Sequence, residues 1–300
     1  ASGTVTTTQI AGLPSGSLFP VGTTTNTFEV EDASGNTATC SFDVTVTDNE
    51  DPEITCPGNF NVNVDPATDG AIVTYTDPVG TDNNASGTVT TTRIAGPASG
   101  SLFPVGTTTV TFQVEDASGN TATCSFDVTV TDNEDPEITC PGDFNMNVDA
   151  GTCGAIVTYT TPVGTDNSTG ATTTQIAGLP SGSLFPVGTT TNTFEVTDAS
   201  GNTATCSFDV TVTDNEDPTI TCPADVTANT SDDAAGNCLT TVALGTPTTA
   251  DNCSVDSVVA QVNGADIDPV TFEFPLGDTT VTWIVTDGSG NIAQCTQTVT

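Results

Sequence analysis

Internal repetition constrains the fold of this chain more than any other feature. The string DASGNTATCSFDVTVTDNEDP occurs three times, starting at Asp32, Asp116 and Asp198, so that successive copies are 84 and 82 residues apart. This period is too long for a solenoid repeat and suits a whole small domain. The repetition predicts three complete modules at 51–134, 135–216 and 217–300, the last of them more diverged, and the C-terminal half of a preceding module at 1–50. We therefore interpret the chain as a window of a longer periodic protein.

Alternation of apolar and polar residues predicts that each module is built of strands. In 110–114 every second residue is apolar, the turn sequence DASGN follows at 116–120, and the alternation resumes over 124–130. This pattern is typical of a hairpin with one buried face. About seven short strands in each module, with turn residues between them, predict an antiparallel β-sandwich.

The charge balance excludes several classes of function. The chain has 38 Asp and Glu residues, a single basic residue, Arg93, and no Lys or His. Nucleic acid is excluded as a partner, because binding to phosphates requires basic side chains. The usual general base of catalytic sites is also missing, and every acidic motif recurs from copy to copy, as a scaffold does. We therefore expect no enzymatic activity. No segment is long and apolar enough to be a membrane-spanning helix.

Three motifs carry a resemblance to a known family. They are DNEDPEITCP at 48–57, LFPVGTTTVTF at 102–112 and DASGNTATCSF at 116–126. Together they resemble the hyalin repeat (HYR) family, and the resemblance covers the whole chain. It implies an all-β fold, with tandem immunoglobulin-like antiparallel sandwiches in an elongated array, in an extracellular or cell-surface protein linked to adhesion. Long arrays of such modules also resemble the stalks of large bacterial surface adhesins.

Ten cysteines without a CxxC motif indicate disulfides in an oxidising compartment. The last module has four cysteines, whereas the module at 51–134 keeps only the outer two and has Asp69 and Asn84 at the inner positions. Because both inner positions are lost together, we expect outer and inner pairs. The predicted outer disulfides are Cys56–Cys124, Cys140–Cys206 and Cys222–Cys295, and the predicted inner one is Cys238–Cys253.

A rival pairing would join cysteines across the linkers, for example Cys124 with Cys140. The first and last strands of an immunoglobulin-like sandwich lie side by side, so the outer cysteines meet within a module. The residues between Cys124 and Cys140, if extended, span roughly 50 Å, whereas a disulfide needs Cα atoms within about 7 Å. Cys153 has Ser168 at its expected partner position. We expect a free or partly buried thiol there, with an intermolecular cross-link as the alternative.

The module junctions carry clustered carboxylates that predict calcium sites. Each junction packs Asp, Asn, Glu and Asp before a proline, and Ca²⁺ takes six to eight oxygens from carboxylates, amides and carbonyls. The pattern is similar to the acidic linkers of cadherins. The ordinary alternative is that Asp and Asn are turn formers on a solubilising acidic surface. The linker ligands predicted for structural Ca²⁺ are Asp48, Asn49, Glu50, Asp51, Asp132, Asn133, Glu134, Asp135, Asp214, Asn215, Glu216 and Asp217.

The sandwich topology predicts further ligands for these sites. The last hairpin turn and the loop after the second strand both face the N-terminal end of a module, next to the preceding linker. We therefore expect pairs of aspartates from these loops to approach the three linkers in chain order. The pairs are Asp82 with Asp116, Asp166 with Asp198, and Asp251 with Asp287.

Three functions are compatible with these features. The first is a disulfide-bonded, calcium-rigidified stalk or filament segment, whose partners are other copies of the chain or ligands on a cell surface or substratum. The second is an array of modules whose loops bind a glycan or a protein. The third is a non-catalytic appendage of a secreted enzyme. Near-identical copies favour the stalk, because a specific ligand site needs only one copy.

Overall fold

Threonine, valine and phenylalanine, which favour extended backbone, alternate along most of the chain and form strands. The computed structural model describes residues 3–84, 87–229 and 238–300. Within these ranges the secondary structure is strand and turn without a helix, so none of the described residues belongs to a helix able to cross a membrane. The chain divides into two units, Ala1–Glu134 and Asp135–Thr300, which are described separately.

The first unit contains a three-stranded sheet followed by a sandwich. The three-stranded sheet has the order β1-β2-β3, and the sandwich has a four-stranded sheet, β4-β9-β8-β6, and a two-stranded sheet, β5-β7. The bounds are β1 Thr6–Ala11, β2 Gly22–Glu31, β3 Thr37–Val46, β4 Phe60–Asn63, β5 Gly70–Val73, β6 Thr90–Ala95, β7 Ser101–Pro104, β8 Gly106–Glu115 and β9 Thr121–Thr131.

The core of this sandwich lies between its two sheets. Alternate residues of β8 and β9 are buried, and the ring of Tyr75 packs edge-on against those of Phe112 and Phe126. The β8–β9 pairing is antiparallel, with Phe112 opposite Cys124, so the hairpin that the alternation predicts is present. Strand β4 pairs in parallel with β9, which places the opening strand of the module beside its last strand.

Residues 3–50 form one sheet without a second sheet packed over it. Phe42 on β3 is 55 % exposed, whereas the matching Phe126 and Phe208 of the complete sandwiches are each 3 % exposed. The same sequence is therefore buried only where two sheets face each other. The interpretation of residues 1–50 as the C-terminal half of a module stays a prediction.

The second unit contains two sandwiches. The first has sheets β10-β15-β14-β12 and β11-β13; the second has sheets β20-β19-β22-β23, β16-β18 and β17-β21. The bounds are β10 Phe144–Asn147, β11 Gly154–Val157, β12 Thr172–Ala177, β13 Ser183–Pro186, β14 Gly188–Thr197, β15 Thr203–Thr213, β16 Thr219–Thr221, β17 Leu239–Thr241, β18 Thr248–Ala250, β19 Val255–Val262, β20 Ala265–Ile267, β21 Glu273–Pro275, β22 Thr279–Asp287 and β23 Ile292–Val299.

The all-β sandwich class predicted from the sequence is confirmed. In the last module the core differs in composition, because Trp283 and Gln297 occupy the positions of two phenylalanines. Gln297 is fully buried, accepts a hydrogen bond from the indole N–H of Trp283 and donates to the carbonyls of Ala224 and Leu244. All its polar atoms are therefore satisfied inside the core, as a buried amide requires.

The structure has disulfides at the three expected outer positions. Their Cα atoms lie 5.6 to 5.8 Å apart, and each bond joins the segment at the start of a module to its last strand. Closing loops of this length stabilises each module by roughly 4 kcal/mol in the chain-entropy model. The pairs are Cys56–Cys124, Cys140–Cys206 and Cys222–Cys295.

The inner pairing is different from the expectation. Cys253 bonds to Cys153 of the preceding module, and Cys238 is exposed and unpaired. The predictions of a Cys238–Cys253 bond and of a free Cys153 are therefore wrong. The strand register gives the reason: Cys153 directly precedes Gly154, which pairs with Pro186, and Cys238 directly precedes Leu239, which pairs with Pro275.

Cys238 and Cys153 therefore occupy the same position in successive modules. That position lies at the C-terminal end of a module, since Gly151 in the same turn donates its N–H to the carboxylate of Glu216 in the following linker. Cys253 lies at the N-terminal end of its module. Cys238 and Cys253 therefore lie at opposite ends of the same sandwich, whereas Cys153 of the preceding module lies next to Cys253.

Candidate metal sites at the module junctions

Three aspartates of the second unit converge where its two sandwiches meet. Asp214 directly follows β15, Asp251 directly follows β18, and Asp287 is the last residue of β22. Each offers a carboxylate oxygen, and these oxygens lie within 4.8 Å of one another. The strands that end at this junction therefore deliver three acidic side chains to one place.

Local turns hold two of these aspartates in position. The backbone N–H groups of Cys253 and Ser254 donate to one oxygen of Asp251 at 2.8 and 2.9 Å. Asp287 accepts from the backbone N–H of Asn291 at 2.8 Å and from the Asn291 side chain at 2.8 Å. These bonds are those of ordinary aspartate turns and fix the direction of each carboxylate.

The remaining oxygens of this cluster are buried without a partner. Oδ2 of Asp214, Oδ1 of Asp251 and Oδ1 of the neighbouring Asn252 have no hydrogen bond. Asp214 itself is only 3 % exposed. Buried polar oxygens without a hydrogen-bond partner are rare in folded proteins, and such oxygens are free to bind a cation. The oxygen-only donor set therefore fits a hard cation such as Ca²⁺.

Hydrogen bonding keeps one aspartate of each cluster ionised. Burial raises the pKa of Asp287, but hydrogen bonds from the Asn291 side chain and from nearby backbone N–H groups outweigh it, so the pKa lies below its ordinary value. Burial raises the pKa of Asp116 in the first unit in the same way, and bonds from Asn120 and nearby backbone outweigh it. Both carboxylates are therefore negatively charged at neutral pH.

The first unit repeats this arrangement at its own junction. Carboxylate oxygens of Asp48, Asp82 and Asp116 lie within 4.8 Å of one another. Oδ2 of Asp48 and Oδ1 of Asp82 are buried without a hydrogen bond. The side chain of Asn120 donates to the carbonyl of Asp48 at 3.4 Å, as Asn291 does to Asp214 at 3.2 Å. The two sites therefore have the same arrangement of three aspartates and one supporting asparagine.

The junction between residues 132 and 135 spans the boundary of the two units. Within the second unit, carboxylate oxygens of Asp166 and Asp198 lie within 4.8 Å of each other. Burial raises the pKa of Asp198, but hydrogen bonds from Asn202 and nearby backbone outweigh it and lower the pKa. The approach of Asp132, Asn133 and Asp135 to this pair stays a prediction.

The linker acids divide into two groups. In the two junctions described above, the first aspartate joins the cluster, whereas Glu50, Asp51, Glu216 and Asp217 belong to no group of three carboxylates among the described residues. Glu216 accepts from the backbone N–H of Gly151 at 3.0 Å. Glu134 accepts from Ala67 at 3.1 Å in the same way, and Asn83 donates to Glu50. Roles for these acids and for the linker asparagines Asn49 and Asn215 as cation ligands stay predictions.

Sequence reasoning overlooked two asparagines that support the sites. Asn252 follows Asp251 in the loop and contacts Asp214, and Asn291 closes the turn that starts at Asp287. The signal for the second was available, because this turn motif, DASGN in three copies and DGSGN at 287–291, ends in an asparagine in every copy. Only its first aspartate was predicted as a ligand.

Comparison with known proteins settles the family. The family model of the HYR domain matches residues 1–46, 47–130, 131–212 and 213–300. The chain belongs to the HYR domain family. The HYR modules match hyalin of Strongylocentrotus purpuratus at 36 % identity over 94 % of the chain and 23 % of that protein. They match hyalin of Lytechinus variegatus at 36 % identity over 97 % of the chain and 55 % of that protein.

Other matches are partial. A serine-rich adhesin for platelets of Staphylococcus aureus is 30 % identical over 54 % of the chain and 8 % of that protein. Among solved structures, extracellular cadherin domains 1–5 of protocadherin gamma B2 align over 98 % of the chain and 71 % of that chain, with 14 % identity and a TM-score of 0.34. A TM-score this low supports no conclusion. The HYR array is an extracellular, disulfide-bonded repeat array of the adhesion type, and it spans only part of the hyalins that it matches.

Proposed function

We propose that this HYR array is a segment of an extracellular adhesive stalk or filament, and that Ca²⁺ at the module junctions makes it stiff. The observation that carries the proposal is the pair of junction clusters, in which buried carboxylate oxygens without a hydrogen-bond partner converge from successive modules. The three outer disulfides stabilise each module separately, whereas the clusters act on the connection between modules. A stalk needs both properties.

Electrostatics explains why a cation is required. Two charges within 4.8 Å of each other, as in these clusters, repel by at least about 3.5 kcal/mol at an effective dielectric constant of about 20. The chain has one basic residue against 38 acidic ones, so its own side chains cannot neutralise three junctions. A divalent cation replaces this repulsion with attraction and joins the ends of two modules.

The donor set favours Ca²⁺ over other metals. The clusters consist of carboxylates, which are hard oxygen ligands. The chain has no histidine, the side chain that transition metals commonly use. Asp214, Asp251 and Asp287 would hold the cation at one junction, and Asp48, Asp82 and Asp116 at the other.

The test combines stability with solution shape. The chain is compared in EDTA, in Ca²⁺ and in Mg²⁺ by thermal unfolding and by small-angle X-ray scattering. Ca²⁺ at one hundred times its dissociation constant should stabilise each bound junction by about 2.7 kcal/mol. In Ca²⁺ we expect a higher Tm. We also expect a scattering profile that is fitted by a narrower distribution of the radius of gyration. An unchanged Tm together with an unchanged scattering profile after chelation would contradict the calcium part of the proposal.

A further inference from the structure

If the half-module at 1–50 is counted as the first, the Cys153–Cys253 disulfide joins the third module, at 135–216, to the fourth, at 217–300, beside a candidate cation site. Its Cα atoms lie 4.6 Å apart. Cys253 comes two residues after Asp251 and donates its backbone N–H to the Asp251 carboxylate at 2.8 Å. The bond between the modules is therefore attached to the loop that presents a carboxylate of the cluster.

Asn252 adds a second connection at the same place. Its side-chain amide donates to the carbonyl of Thr152 at 2.8 Å and to Oδ1 of Asp214 at 3.3 Å. Thr152 directly precedes Cys153, so two adjacent residues of one module are tied to two adjacent residues of the next. The loop that carries Asp251 is thus fixed relative to the preceding module at this point.

This connection is specific to one junction in the chain. Ser168 occupies the position of Cys253 in the third module, because its backbone N–H donates to Asp166 as that of Cys253 does to Asp251. Asp69 occupies the position of Cys153 in the second module, because Gly70 after it pairs with Pro104 as Gly154 pairs with Pro186. Neither of these residues is a cysteine, and Asn84 holds the position of Cys253 in the second module, so no equivalent disulfide can form at the other two junctions.

We propose that the Cys153–Cys253 disulfide tunes the affinity of the cluster formed by Asp214, Asp251 and Asp287 for Ca²⁺, so that this junction binds the cation tightly when oxidised and weakly when reduced. The inference rests on the proposed calcium function. Three carboxylates from two modules repel each other, and separate modules would have to be brought together by the cation. A disulfide that already holds the loops in place removes this cost of ordering.

Thermodynamic linkage gives a second consequence. If the disulfide raises the Ca²⁺ affinity by some factor, Ca²⁺ must make the disulfide harder to reduce by the same factor. Reduction by a dithiol breaks the S–S bond of Cys153–Cys253 and gives two thiols. The dithiol supplies two electrons and two protons and becomes a cyclic disulfide. The same coupling is therefore measurable from the redox side.

The first experiment measures Ca²⁺ affinity by isothermal titration calorimetry on the full chain. Asp116→Asn and Asp198→Asn are introduced to weaken the other two junctions, and this background is compared with and without Cys153→Ser and Cys253→Ser. Both cysteines are replaced so that neither can pair with Cys238. We expect the dissociation constant to rise about 10- to 100-fold, as for the loss of groups that orient metal ligands. A change below about twofold would overturn the inference.

The outcomes separate this inference from the proposed function. Absence of Ca²⁺ binding in the background chain with its disulfide intact would reject both, whereas equal binding with and without the disulfide would reject only the inference. Fluorescence of Trp283, the single tryptophan, checks that the serine variant keeps its fourth module folded. If that variant does not fold, titration of the unmodified chain with dithiothreitol decides instead. Ca²⁺ should shift the half-reduction point of Cys153–Cys253 by the same factor, and an unchanged point would overturn the inference.

Discussion

Asp251→Asn should change the stability of the fourth module in opposite directions with and without calcium. One oxygen of Asp251 accepts two backbone N–H groups, and the other is buried without a partner. An asparagine can place its carbonyl oxygen where the first oxygen lies and its amide where the second lies. The turn is then preserved, while one negative charge of the cluster is lost.

The magnitude follows from the spacing of the cluster. Each pair of charges lies within 4.8 Å and repels by at least about 3.5 kcal/mol at an effective dielectric constant of about 20, and removal of one carboxylate relieves two pairs. Side chains that repel move apart, and water and salt screen them. We therefore expect a measured gain of about 1–3 kcal/mol in EDTA. For a module of this size, each kcal/mol raises the Tm by about 4–8 °C.

The assay uses the position of the only tryptophan. Trp283 is buried in the core of the fourth module, so its fluorescence during heating reports on that module. In EDTA, Asp251→Asn should unfold at a higher temperature than the unmodified chain. In saturating Ca²⁺ it should lose most of the stabilisation by the cation, because a charged ligand is missing.

The matched control is Asp278→Asn, which removes the same charge from an exposed position of the same module outside the cluster. Its Tm should change by less than the equivalent of about 0.5 kcal/mol in both buffers. If Asp251→Asn lowers the Tm equally in EDTA and in Ca²⁺, the carboxylate acts only in its turn, and the argument from charge repulsion is refuted.

Two further predictions concern the core and the cysteines. Gln297→Leu should destabilise the fourth module by about 3–5 kcal/mol in denaturant unfolding followed by Trp283 fluorescence, because the indole N–H and two backbone carbonyls lose their buried partner; a change below about 1 kcal/mol would contradict this account. Maleimide labelling of the folded, unreduced chain should modify Cys40 and Cys238 and no other cysteine, and labelling at Cys153 or Cys253 detected by peptic mapping would contradict the pairing.

The outer disulfides and the acidic clusters could be anticipated because they follow from local patterns repeated in every copy. Cys56 and Cys124 keep a constant place relative to the turn and linker motifs, and the topology of a sandwich puts the first strand beside the last. The same topology sends the loops of Asp82 and Asp116 to one end of a module. Comparison of copies was therefore sufficient to bring these side chains together.

The inner cysteines could not be assigned in this way. The absence of both inner cysteines from the second module is compatible with pairing inside a module and with pairing between neighbours. The comparison of copies places Cys153 and Cys238 at the same position, but only the tertiary structure shows that this position lies at the opposite end of a module from that of Cys253. The satisfied amide of Gln297 was equally invisible, since its partners are carbonyls of distant segments.

The sequence by itself determined that this protein consists of repeated β-sandwich modules with acidic junctions, because the period and the alternation are visible in every copy. The tertiary structure alone decided which oxygens at a junction remain without a partner, and which cysteines meet across it. Those facts depend on the ends of strands from two modules approaching within a few ångströms, and no local pattern along the chain encodes such an approach.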